Sequence, residues 1–425
     1  MKLWQTESDL ESLIEDFTIG DDPQYDMLIA PFDVKASEAH AQMLQKIGIL
    51  TGEELDEILA ELSNIRDKLS KGKYRIENGV EDIHSQIEMD LTRALGEIGK
   101  KIHSGRSRND QVLVALNLYY RAQLADLRSK SLSVANQLIE IADKNQHILM
   151  PGYTHSQVAM VSSFGLWFAS FAESLIQDVN HLALVSALVD ENPLGTAAGY
   201  GNSFPLDREY TAELLGYSNL AVNSMYAQIT RGKTELLIGQ ALSTVCFTIG
   251  KFASDVCLFS SANYGFITLP DSMTTGSSIM PHKKNPDVFE LIRAKCNLVM
   301  SVPGQVSLLM NNLMSGYHRD MQALKEIIFP AIANVRRILD ILEYCIPRIE
   351  VNDDLLNSEQ YNYLFTVEAV NKLVKDGMPF RDAYIKVKQL IESGQFKPDH
   401  VIDHVHIGSI GNLGLDLLRS KVTDQ

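Results

Sequence analysis

Residues 274–287 read Thr-Thr-Gly-Ser-Ser-Ile-Met-Pro-His-Lys-Lys-Asn-Pro-Asp. Gly276 with Ser277 and Ser278 makes a flexible stretch rich in backbone N–H and hydroxyl groups, and Lys283 and Lys284 add positive charge. Asn285 suits a helix N-cap and Pro286 the first helical position. A mobile cationic loop feeding a helix N-terminus suits an anion, although an ordinary capped loop has the same composition. A second segment is Pro151-Gly152-Tyr153-Thr154-His155-Ser156-Gln157. A histidine there serves either as a satisfied core residue or as a general acid or base near neutral pH. The third, His103-Ser104-Gly105-Arg106-Ser107-Arg108-Asn109-Asp110-Gln111, offers two guanidinium groups that suit a planar carboxylate, or a solvated charge cluster before a helix. In the fourth, 317–325, Gln322 and Lys325 stand three apart and share one helix face.

The elements that carry these segments read as helices. Neither proline nor glycine occurs from Arg106 to Met150 or from Leu166 to Asn192. A helix of about 45 residues would run roughly 68 Å. Apolar residues at helical spacing support it: Leu113, Leu116, Tyr120, Leu124, Leu127, Ala135, Leu138 and Ile141. The pattern continues over 220–264, where Gly232, Gly239 and Gly250 weaken the helix but let neighbours approach closely. Further helical runs are expected at 37–47, 51–70, 287–302, 317–329 and 331–346, with prolines at 303, 330 and 347 as breaks or kinks. Strand-like alternation is scarce, so the middle of the chain reads as long helices side by side. The expected division is 1–106, a central bundle 107–352 carrying the loop 274–287, and a small helical part 353–425.

Composition narrows the function. The chain has 425 residues and a net charge of −16, which argues against broad nucleic-acid binding and against docking on anionic membranes. The start, Met1-Lys2-Leu3-Trp4-Gln5, lacks the apolar core of a signal peptide. The longest stretch free of Asp, Glu, Lys and Arg, 145–172, holds two histidines, a proline and two glycines; it reads as buried rather than membrane-spanning. The four cysteines, 246, 257, 296 and 345, form no Cys-x-x-Cys pair, so reduced thiols in a cytoplasmic protein are expected.

Taken together, the segments carry a resemblance. Gly-Ser-Ser-Ile-Met-Pro-x-Lys-x-Asn-Pro at 276–286 resembles the signature of the fumarase/aspartase superfamily. His-Ser-Gly-Arg-Ser-Arg-Asn-Asp-Gln-Val at 103–112 is similar to the argininosuccinate lyase family within it, as are 152–155, 283–287 and Gly-Met-Pro-Phe-Arg-Asp-Ala-Tyr at 377–384. The resemblance implies an all-α, three-domain chain whose central helices assemble as a homotetramer around a twenty-helix core. Each active site would then draw segments from three subunits. It implies reversible anti β-elimination of the small molecule argininosuccinate to arginine and fumarate, with no metal or organic cofactor. Ser277 matches the general base, His155 the general acid or the residue that orients a water, and Glu290 its partner. Lys283 and Asn285 match the residues that hold the carboxylate on which charge grows. Asp82, His84, Arg108, Asn109, Thr154, Tyr317, Gln322 and Lys325 match substrate-binding positions.

The chain also departs from the family pattern. Gln5-Thr6-Glu7-Ser8 replaces Gly-Gly-Arg-Phe, no N-terminal substrate serine aligns within 17–22, and Ala323 and Leu324 replace acidic residues. Of the usual Ser-Asp-Arg-Asp, only Arg231 carries over. The nearest rival, adenylosuccinate lyase, must also bind a nucleotide phosphate; Arg106-Ser107-Arg108-Asn109 and Pro379-Phe380-Arg381 favour argininosuccinate. A catalytically silent, crystallin-like protein on this scaffold has no need to keep Ser277, Lys283, His155 and Glu290 together.

Overall fold

The computed structural model describes residues 12–423; the Gln5–Ser8 departure and the Met1–Gln5 start lie outside them. Among the described residues the chain is all-α apart from three two-stranded ladders. It divides into two compact units. One takes residues up to Leu127, His181–Ser243 and Val299–Asn334; the other takes Arg128–Asn180, Thr244–Leu298 and residues from Val335 onward. The long helices Arg108–Lys144, Phe164–Leu188, Ser224–Phe259 and Leu324–Cys345 each contribute to both.

In the first unit, Thr51 starts the Gly52–Ser70 helix with a reciprocal capping box to Glu54, which satisfies two amide N–H groups left over at a helix start. The expected 37–47 helix is longer, Asp22–Lys46, and holds Pro31 within it. Its buried face packs Ala36 and Ala39 against Val114, Leu118, Leu194, Leu215 and Tyr217. Phe329 lies against Tyr25, Tyr119 and Tyr120, with ring centroids 4.6 to 6.2 Å apart. Gly239 lets Val302 approach so closely that an added Cβ would sit 3.0 Å from it.

The second unit is built on rings. Trp167 packs on Phe168, Phe171, Phe252 and Phe259, and Phe266 packs on Tyr153, Phe259 and Tyr264. Towards the C-terminus, Thr366–Lys375 and Phe380–Glu392 bury Val370, Ala383 and Val387 between them.

Several expectations change. The 106–150 helix ends at Lys144, because Leu149–Thr154 and Gln157–Ser163 form an antiparallel hairpin. The 145–172 stretch is therefore not uniformly buried: Thr154 to Val158 are exposed at the hairpin tip. Gly152 sits where the register shifts, and a Cβ there would come within 2.9 Å of the Met160 carbonyl oxygen. The 220–264 run is broken at Arg231 and Gly232, the latter at φ +88° with Met310 packed where a side chain would go. Pro330 lies inside Leu324–Cys345 rather than ending a helix, and residues 319–323 form a 3₁₀ turn preceded by non-helical Tyr317 and His318. Ser224–Phe259 is long and apolar enough to cross a membrane by composition, but it is a kinked core helix, 61% buried over its most apolar 18 residues.

Candidate active site

A cavity of about 460 Å³ opens in the first unit. Seven of the expected residues line it: Asp82, His84, Arg108, Asn109, Tyr317, Gln322 and Lys325. Its floor is the start of the Ile83–Leu95 helix. Asp82 is the N-cap, and its carboxylate accepts the Ser85 N–H at 2.6 Å. That turn places His84 and Ser85 on the wall. The Ser85 hydroxyl accepts from Arg108 Nη2 at 3.1 Å, while Arg108 Nε lies 3.5 Å from Asp82 and Nη1 donates to Gln111 at 3.2 Å. Burial pushes the Asp82 acid up, but Arg108, His84 and the Ser85 N–H outweigh it and hold the group below its usual range. His84 is buried; its Nδ1 lies 3.1 Å from Asp33 but off hydrogen-bond alignment, and no protein group meets its Nε2 among the described residues.

The opposite wall comes from residues 19–26 and from 317–325. Lys325, 3% exposed, places its ammonium 2.8 Å from Asp22 and 2.6 Å from Asp26. The other Asp26 oxygen accepts the Ile83 N–H at 3.0 Å. Burial disfavours the Lys325 charge, yet the two carboxylates prevail and raise its pKa. Burial also raises Asp22, with Lys325 pulling the other way. Gln322 donates to the Thr18 and Ile19 carbonyls at 3.2 and 3.0 Å, and Arg319 to Thr18 and Glu81, both at 2.8 Å. The 17–22 region, in which no substrate serine aligns, thus supplies Ile19 and Asp22 to the lining. Gln322 and Lys325 do face one way, although the first sits in the 3₁₀ turn. Arg231 joins them, stacked 5.5 Å over the Tyr317 ring and donating to the Met321 carbonyl.

The remaining six expected residues lie in the second unit: Thr154 and His155 on the hairpin, Ser277, Lys283 and Asn285 on the signature loop, and Glu290 in the first turn of the helix that follows it. Thr154 pairs with Gln157 to close the hairpin, so His155 and Ser156 form its two-residue turn at φ +54° and +60°. Positive φ at both central positions defines a type I′ turn, which usually selects Asn-Gly. Two side-chain-bearing residues held there are strained, a feature that clusters at functional sites. In the signature loop, Thr275 and Asn285 exchange backbone hydrogen bonds of 3.1 and 2.8 Å and close the loop at its base. The Ser277 hydroxyl oxygen accepts from the Met280 N–H at 3.1 Å and from Ile279 at 3.4 Å. Asn285 does not cap the following helix: its amide turns back to Gly276 and Thr275. Pro286 takes the cap position instead, its carbonyl accepting from Glu290 at 3.1 Å, and the helix runs Asp287–Met300. Lys283 and Glu290 are exposed. Among the described residues, no hydrogen bond or ion pair joins Ser277, His155 and Glu290 to one another.

The cavity also contains Arg106, the second guanidinium of the 103–111 segment, and three residues that the sequence did not single out: His103, Ser85 and Arg319. His103 lies inside the 103–112 motif and Arg319 inside 317–325, so the motifs mark them although their types alone do not.

The lyase family profile matches residues 9–301. Over 99% of this chain and 94% of its own, the argininosuccinate lyase of Phocaeicola vulgatus is 51% identical. The argininosuccinate lyase of Xylella fastidiosa strain 9a5c is 40% identical over 97% and 93%. The chain belongs to the argininosuccinate lyase family. Solved structures agree with the superfamily fold. An EDDS lyase variant with bound fumarate aligns with TM-score 0.77 at 22% identity, over 96% of this chain and 88% of its own. A class II fumarase from Schistosoma mansoni aligns with 0.71 at 16%, over 90% and 91%. In this chain the 103–112 motif lies at the cavity and the 152–155 and 276–286 motifs on the two loops, whereas 377–384 joins two helices near the C-terminus.

Proposed function

We propose that the chain cleaves argininosuccinate reversibly to arginine and fumarate by β-elimination, in arginine biosynthesis in the cytoplasm. The observation that carries this reading is the cavity, where Arg108, Asn109, Gln322 and Lys325 meet in one space of about 460 Å³. The substrate bears several carboxylates and a guanidino group, and the lining offers planar donors beside Asp22, Asp26 and Glu81, so both signs of charge find partners.

In this reading Ser277 removes the proton beside a carboxylate. Its hydroxyl oxygen already accepts two amide N–H groups, which lowers the cost of an alkoxide. Lys283 and Asn285 hold the carboxylate on which charge grows. His155, oriented by Glu290, protonates the departing nitrogen, and Thr154 binds substrate beside it. The cavity groups and these loop groups come from different copies of a homotetramer with a twenty-helix core, which is why the loops stand exposed in a single chain. The three-part division at 106 and 352 belongs to the same proposal. Fumarate release should occur with argininosuccinate and not with adenylosuccinate, and Ser277→Ala should lower kcat by about a thousandfold while leaving the melting temperature unchanged. Release from adenylosuccinate alone, or full turnover by Ser277→Ala, would overturn the reading.

A further inference from the structure

The ion pairs around the cavity are unevenly shared. Asp82 faces Arg108, and Asp22 and Asp26 share Lys325. Buried Arg106 has one carboxylate within ion-pair distance among the described residues: Glu88, 3.5 Å from Nη2. Its Nη1 donates to the Ser37 hydroxyl at 3.0 Å. Glu88 also lies 2.9 Å from His103 Nδ1 and 3.9 Å from Arg108 Nη2. His103, Arg106 and Arg108 all line the cavity, whereas Glu88, 7% exposed, stays behind them. Burial works against its charge, but His103 and the two arginines hold it ionised, at about 2. A carboxylate only accepts, so the His103 contact puts a proton on Nδ1 and leaves Nε2 as the free nitrogen of the neutral ring.

We propose that Glu88 is a positioning residue: from outside the cavity it fixes the tautomer of His103 and aims Arg106 and Arg108 at the substrate's carboxylates. This rests on the cavity being the argininosuccinate site. Glu88→Gln keeps the shape and removes the charge. The expected result is a KM for argininosuccinate about tenfold higher, with kcat within about threefold. In ¹⁵N-histidine-labelled wild type, His103, assigned by its loss in His103→Gln, should carry its proton on Nδ1. In Glu88→Gln, whose amide can donate as well as accept, it should show both tautomers. An unchanged KM, or an Nε2-protonated His103 in the wild type, overturns the proposal. Should Glu88→Gln fail to fold, the wild-type spectrum and a raised KM in His103→Gln decide the matter. Asn109→Ala separates the two levels: normal turnover there refutes the cavity reading, whereas lost turnover there with a silent Glu88→Gln refutes only the role of Glu88.

Discussion

The cavity wall and the signature loop carry charge in opposite ways. Lys325 is buried between two carboxylates and Arg106 between Glu88 and Ser37, whereas Lys283 and Glu290 stand in solvent on either side of a helix start. The wall is therefore assembled before substrate arrives, with each cation held by a partner that also sets its direction. The loop is closed only at Thr275 and Asn285 and presents its groups outward. Groups of the first kind gain from rigidity; in the proposed reading those of the second kind meet substrate from outside, as a closing or partner-supplied loop does.

That contrast makes the same chemical change behave differently in the two places. Lys325→Met removes the one ammonium that two buried carboxylates share, and should cost about 3–5 kcal/mol in unfolding by urea. Lys283→Met should change stability by less than about 0.5 kcal/mol while still abolishing most turnover. Equal stability loss in both would erase the distinction.

Acid provides the next largest effect. Burial, helped by Arg106, pushes the His40 pKa down to about 3, so the folded state keeps it neutral while the unfolded chain protonates near 6.5. Its contribution is present above about pH 6.5 and is lost as pH falls towards 3. Glu88, held at about 2 against a usual 4.5, adds a second loss below about pH 4.5. Both slopes have the same sign, because the unfolded state binds more protons. Burial raises Asp110 to about 6 and gives the opposite slope, so the test is a difference: as pH falls below about 4.5 the wild type should lose stability relative to Glu88→Gln, by roughly 3 kcal/mol at most. A stability difference between wild type and Glu88→Gln that stays constant from about pH 7 to about pH 3 would contradict the buried, ionised state of Glu88.

The smallest effect lies at the hairpin tip. Ser156→Gly relieves one of the two positive-φ residues and should stabilise the fold by about 0.5–1 kcal/mol. It should also lower kcat, because a looser turn no longer fixes His155. Stabilisation without a loss of kcat would mean that the strain has no catalytic purpose.

Much of this was legible in the residues. Proline- and glycine-free runs marked the long helices because nothing in them interrupts the backbone ladder. The hairpin was not legible: His155-Ser156 lacks the Asn-Gly that normally announces a type I′ turn, and an uncharged stretch looks alike whether it is buried or exposed. Pro330 misled because a helix interior tolerates proline where its neighbours pack well enough. In the site, residues grouped in short motifs were found, but the partners that aim them were not. Asp26 and Lys325 stand 299 residues apart in the chain, and Glu88 stands 15 before His103 and 18 before Arg106. No local pattern announces such pairs; tertiary packing makes them.

The central claim is that one copy's wall works with another copy's loops. Coexpression of Ser277→Ala with Asn109→Ala, each inactive alone, tests it most directly through fumarate release from the mixed oligomers. The account predicts recovery of a measurable share of wild-type turnover, since some sites then combine an intact wall with an intact loop. No recovery at any mixing ratio, with mixed oligomers present, would contradict it.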